Sequence, residues 1–133
     1  MILDHIQEEQ NKRVMLAGVW ETTTREYLNQ EDFDHSMDEL EELAKACYLL
    51  PVGRVTQQLD KPNSATYVGA GKVDEIKNCA AMLEAEQVVF NDSLSPSQIR
   101  NLQESLGMPV MDRTSLILDI FQRRARKIGR AHV

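Results

Sequence analysis

A chain of 133 residues that is 42% apolar is long enough for one domain with a real core, and its short apolar runs exclude a membrane-crossing helix. The formal charge of −6 is unevenly placed: residues 121–133 carry five Lys/Arg and no acid, leaving ten bases against 21 acids in the first 120 residues, a balance that argues against a broad nucleic-acid surface. Two cysteines (Cys47, Cys79) and three scattered histidines (His5, His35, His132) point to buried free thiols rather than a disulfide framework, and to no metal site. Early acids and the lack of a signal-peptide pattern at the amino terminus point to a cytoplasmic chain.

Residues 1–12 are polar and are expected to fray. The continuous apolar run from Val14 to Trp20 reads as a strand buried on both faces, as in parallel sheets. A polar connection from Glu21 to Phe33 follows. Seven acids then fall between Glu31 and Glu42, yet Met37, Leu40, Ala44 and Cys47 recur at helical spacing. That predicts an amphipathic helix with an acidic outer face, with Ser36 and Glu39 as its capping box and Pro51 at or after its end. Residues 52–59 have strand character, residues 60–64 form a turn cluster, and residues 66–68 read as a short strand reaching Gly69.

Val73, Ile76, Ala80 and Leu83 predict a helix over about 72–86, and Val88 to Phe90 the next strand. Ser95, Pro96 and Gln98 make a helix start with a capping box; Ile99, Leu102 and Leu106 form its stripe, and Gly107 ends it in the left-handed conformation. A short strand over 109–111 leads to a last helix, capped by Asp112 or Thr114, with Leu116, Ile117, Ile120, Phe121 and Ala125 on one face. Gly129 is expected to disfavour its continuation. The alternation predicts an α/β fold: a mainly parallel sheet of four or five strands flanked by helices, mixed if 52–59 and 66–68 pair as a hairpin-like extension. The organisation expected is a flexible segment 1–12, an α/β domain 13–112, and a helix with tail over 113–133.

Three places invite chemistry. Gly69, Gly71 and Lys72 lie between a strand and a helix, where helix amides and a lysine attract an anion or nucleotide. The phosphate-binding loop Gly-x4-Gly-Lys-Ser/Thr is not matched, because the upstream window is wrong and Val73 stands in the hydroxyl position; Asp74 occupies the third glycine of a dinucleotide fingerprint. The simpler reading is a tight turn in which glycines supply backbone freedom. Asp92 ends a strand at the sheet edge where open α/β folds place ligands, but no histidine or second acid is visibly paired with it, and no catalytic residue is assigned. Arg113, Arg123, Arg124 and Arg126 are the candidates for RNA phosphate contact, without the aromatics of an RNA module; for Asp112 and Arg113 a cap and a local ion pair are the simpler account.

Three segments taken together, ATYVGAGKVDEI at 65–76, LSPSQIRNL at 94–102 and DRTSLILDIF at 112–121 followed by Arg124 and Ala125, resemble the amino-terminal domain of the HflX family of ribosome-associated GTPases. The likeness covers roughly residues 13–126. It implies an α/β domain that precedes a helical segment and a GTPase domain carrying GTP and magnesium. It also implies the large ribosomal subunit and its RNA as partner, contact with the protein's own GTPase domain, and, for some members, ATP binding by the amino-terminal region. Neither a P-loop nor an Asn-Lys-x-Asp guanine-specificity segment occurs in these 133 residues, so the expectation is a noncatalytic fragment with no cofactor of its own. The departure from the family pattern over 127–133 suggests truncation, and with it self-association through the apolar face of the last helix. The alternatives to a ribosome-binding and regulatory domain are a small ATP-binding domain using Gly69 to Lys72, and a protein-interaction domain.

Overall fold

The computed structural model describes residues 11–131, with side chains to Lys127; the expectation for the first residues and the position of His132 lie outside them. Four strands, β1 (Lys12–Glu21), β2 (Leu49–Leu59), β3 (Gln87–Phe90) and β4 (Val110–Asp112), alternate with four helices, α1 (Gln30–Ala46), α2 (Ala70–Met82), α3 (Pro96–Leu106) and α4 (Arg113–Ala131). The sheet order is β2-β1-β3-β4 and every strand pairing is parallel. The predicted α/β class holds.

β1 is an inner strand, and its side chains alternate between two cores. Met15, Ala17 and Val19 join Val73, Ile76, Phe90 and Leu102 beneath α2 and α3. Val14 and Leu16 join Phe33, Met37, Leu40, Val89 and Leu116 beneath α1 and α4. Gly18 lets α1 approach closely: a Cβ there would come within 2.5 Å of the Met37 sulfur and 3.3 Å of the Phe33 ring.

Several boundaries differ from expectation. The acidic helix starts at Asn29, whose side chain accepts from the Asp32 amide at 2.9 Å, while the Asp32 carboxylate accepts from the Leu28 amide at 3.1 Å. Ser36 is therefore within the helix and caps nothing, and Phe33 belongs to its buried stripe. Pro51 lies inside β2, an edge strand, beside a bulge at which the register moves from Val14–Pro51 to Met15–Gly53. Edge strands and bulges are where a missing N–H is tolerated.

Residues 66–68 are not a strand: Asn63 and Tyr67 make an isolated antiparallel bridge, and Tyr67 takes φ 65°. Among the described residues the sheet thus has four strands and is wholly parallel. α2 runs from Ala70 to Met82 and closes through Glu84 at φ 58°. The capping box of Ser95 and Gln98, and the left-handed Gly107 at φ 71°, are as predicted. α4 continues past Gly129 to Ala131; a single glycine costs about 1 kcal/mol relative to alanine, too little to stop a helix of good formers. No helix among the described residues is long and apolar enough to cross a membrane.

Candidate functional site

Four parallel strands bring their carboxyl ends to one edge of the sheet. The chain leaves β1 toward the face carrying α1 and leaves β3 toward the face carrying α3, so a crevice opens between the two strand ends. A cavity of about 410 Å³ lies there, lined by Tyr27, His35, Ser36, Asn91 and Arg113 with the acids Glu26, Asp32 and Glu39.

Its floor is a hydrogen-bonded network. The Arg113 guanidinium donates to Asn91 Oδ1 at 2.9 Å, to the Ser36 carbonyl at 3.4 Å and to Glu39 Oε2 at 2.8 Å. Asn91 Nδ2 donates to Ser36 Oγ at 2.9 Å, and that oxygen lies 3.2 Å from the Tyr27 hydroxyl. Asn91 is 3% exposed, so its amide is spent on these partners. Burial raises the Tyr27 phenol above its ordinary value, with Ser36 opposing. The ion pair at Arg113 is thus not the local one expected: it reaches Glu39, 74 residues away, and joins the start of α4 to the end of β3 and the middle of α1.

Asp92 follows Asn91 and has a different environment. Its Oδ2 is buried without a hydrogen-bond partner. Burial raises its carboxyl above the usual range; the Tyr67 hydroxyl and Arg113 pull it down, and Glu26 and Glu21 push it further up. Tyr67 packs edge-on against Phe90, with ring centroids 6.3 Å apart, and burial and then Asp92 raise its phenol. A carboxyl whose folded-state proton affinity is raised contributes stability at pH below its unfolded value and loses it as pH rises through the folded value. Asp92→Asn is therefore expected to raise Tm at about pH 7 and to leave it nearly unchanged near pH 3. A lower Tm at neutral pH would mean that the charge is used by a partner in the fold.

Gly69, Gly71 and Lys72 sit at the same edge, at the amino end of α2. The Gly69 amide donates to Gln57 Oε1 at 3.0 Å, and Lys72 Nζ lies 3.3 Å from Glu75 Oε1. Gly69 has φ −67°, and among the described glycines only Gly107 has positive φ. Backbone freedom is therefore not what this turn needs. Nothing lies within 4 Å of a Cβ built on Gly71, so its surface is open.

Asp112, 5% exposed, caps α4: Oδ1 accepts from the Ser115 amide at 3.0 Å, and Oδ2 from the buried Leu94 amide at 2.8 Å. The four arginines do not form one cluster. Arg113 is fixed at the sheet edge, and Arg123 lies ten residues on, about 15 Å along an ideal helix. Arg123 Nε donates to Asp119 at 2.9 Å, and its guanidinium lies 5.2 Å from the Tyr48 ring centroid. Arg124 and Arg126 are exposed. Cys47 is buried beneath α4, its thiol donating to the Leu116 carbonyl at 3.5 Å, and burial pushes that thiol up to about 11.

Sequence reading missed Tyr27 and Ser36 as site residues, and took Asn91 only as part of a strand end. The available signal was Asn91 itself, a polar residue directly after a fully buried strand.

Comparison with known proteins is consistent with this architecture. Residues 34–122 match the family described as GTP-binding GTPase N-terminal. The GTPase HflX of Alkalihalophilus pseudofirmus is 44% identical over 124 residues, covering 93% of this chain and 28% of that protein. The GTPase HflX of Escherichia coli is 34% identical over 110 residues, covering 83% of this chain and 26% of that protein. A crystal structure described as a complex of SsGBP and GDP shares the fold, with a TM-score of 0.59 and 22% identity, over 83% of this chain and 29% of that one. The chain thus spans under a third of the length of the curated relatives it matches. On the family match and these relatives, the chain belongs to the HflX family and corresponds to its amino-terminal domain.

Proposed function

We propose that this chain is the ribosome-binding and regulatory amino-terminal domain of an HflX-like GTP-binding protein, and that it is noncatalytic by itself. The observation that carries the reading is the family match across 34–122 in a sequence with no phosphate-binding loop. In this reading GTP and magnesium belong to a GTPase domain outside these residues, the partners are the large ribosomal subunit and that GTPase domain, and the setting is the cytoplasm. Arg124, Arg126 and Lys127 are exposed on α4, which suits contact with RNA phosphates. The anion reading of Gly69 to Lys72 has the open surface over Gly71 in its favour, but the Gly69 amide and Lys72 are already engaged within the fold.

Co-sedimentation with large ribosomal subunits tests the proposal. The chain is expected to pellet with them at low salt and to be released as salt rises. Arg126→Glu with Lys127→Glu should weaken binding and lower the log–log salt slope by about 1 for each phosphate that the variant no longer neutralises. An absence of pelleting at low salt would overturn ribosome binding by this chain. Undiminished binding by the double variant would remove this end of α4 from the interface.

A further inference from the structure

The segment from Asn63 to Gly69 is pinned around a strained residue. The Val68 amide donates to the Thr66 carbonyl at 2.6 Å across Tyr67, whose φ is 65°. That bond at positive φ makes a γ-turn of the unfavourable hand, costly for a tyrosine. The surrounding chain holds it there. Asn63 Oδ1 accepts from the Ala65 and Thr66 amides at 2.7 and 3.0 Å, and Thr66 Oγ1 donates to the Val68 carbonyl at 2.8 Å. From α3, Gln98 Nε2 donates to the Asn63 carbonyl at 3.1 Å and Asn101 Nδ2 to the Ala65 carbonyl at 3.0 Å.

The turn sets the Tyr67 side chain edge-on against Phe90 and facing Asp92, whose Oδ2 is buried with no hydrogen-bond partner. Among the described residues, the other titratable groups facing Asp92 are Glu21 at the end of β1, Glu26 and Tyr27 in the connection that follows, and Arg113 at the start of α4. Arg113 is already engaged by Asn91, Ser36 and Glu39, and the two glutamates disfavour a further negative charge. An ionised Asp92 therefore needs water at Oδ2. Of the groups around it, Tyr67 is the one carried by a strained turn, so opening costs least there. We propose that the Asn63–Gly69 turn is a proton-operated latch: it holds Tyr67 against Asp92 while that carboxyl is protonated, and releases Tyr67 to admit water when the carboxyl ionises. Closure raises the proton affinity of Asp92, so closure is favoured below the ordinary carboxylate value and weakens as pH rises through the folded one. The latch thereby couples protonation to the conformation of the chain entering α2.

Amide hydrogen exchange, corrected for the intrinsic rate at each pH, tests this. Between about pH 4 and about pH 8, protection at the Tyr67 and Val68 amides, which bond the Asn63 and Thr66 carbonyls, is expected to fall at least about tenfold. Protection at Val88 and Val89 in the sheet should not follow it. Asp92→Asn, neutral throughout, should keep both turn amides protected at the higher pH. Glu26→Gln, at an exposed position, removes one repelling charge and should make the fall smaller without abolishing it. Protection of the turn that does not change with pH would overturn the proposal. So would a fall that Asp92→Asn leaves intact, or one shared equally by the sheet amides.

Discussion

Replacing Phe90 with alanine is expected to cost about 3–5 kcal/mol and to leave the domain close to unfolded at 37 °C. Phe90 is 0% exposed, ends the inner strand β3, and belongs to the core under α2 and α3. Its ring also supports Tyr67 edge-on, in a turn whose φ of 65° is unfavourable for a tyrosine. Truncation removes transfer energy, leaves a cavity that a parallel sheet collapses into only partly, and withdraws that support. Urea denaturation measures the change as a lower midpoint at similar slope. Phe90→Leu, which keeps most of the volume, should lose clearly less. Equal losses in the two variants would show that ring shape rather than volume matters here.

The elements that were legible in the sequence carry their instructions locally. α3 is the clearest: Ser95, Pro96 and Gln98 start it, Leu102 and Leu106 bury it, and Gly107 stops it, all within thirteen residues. Elements whose limits depend on distant contacts were not legible. The start of α1 moved from Ser36 to Asn29 because Phe33, set among acids, finds its place only against Gly18 of β1. Pro51 reads as a strand breaker until the sheet order makes β2 an edge with a bulge. Residues 66–68 look like a strand because β-branched and aromatic side chains are the ones that favour strands, but Tyr67 bonds back to Asn63 instead of joining the sheet.

The crevice follows the same rule. Asp92 and Arg113 are individually visible as polar residues at strand ends. Their environment is not, because Tyr27, Ser36, Asn91 and Arg113 come from four segments that only the parallel topology assembles. The Gly69 to Lys72 turn shows the converse. A local glycine pattern suggested a need for backbone freedom, whereas the folded turn uses ordinary dihedral angles and commits its first amide to Gln57.

Asp112→Ala is the second large effect, and it acts through hydrogen bonds rather than volume. One carboxylate serves two amides on different elements: Leu94, in the loop before α3, and Ser115, in the first turn of α4. The neighbouring hydroxyls of Ser93 and Thr114, 2.7 Å apart, add a second tie between the same two segments. Alanine leaves the buried Leu94 amide without a partner and α4 without its cap, a combined loss of about 2–4 kcal/mol. Asp112→Asn keeps one acceptor but turns an N–H₂ toward the other amide, so its loss should fall between wild type and alanine. Amide hydrogen exchange gives the local signature: faster exchange at Leu94 and Ser115 before any global change at Val88 or Val89 in the sheet. Because Arg113 follows directly, loosening the cap should also loosen its grip on Asn91 and Glu39, and with it the angle at which α4 leaves the sheet. If exchange at both amides stayed at the wild-type rate, Asp112 would be a passive cap rather than the joint between α4 and the crevice.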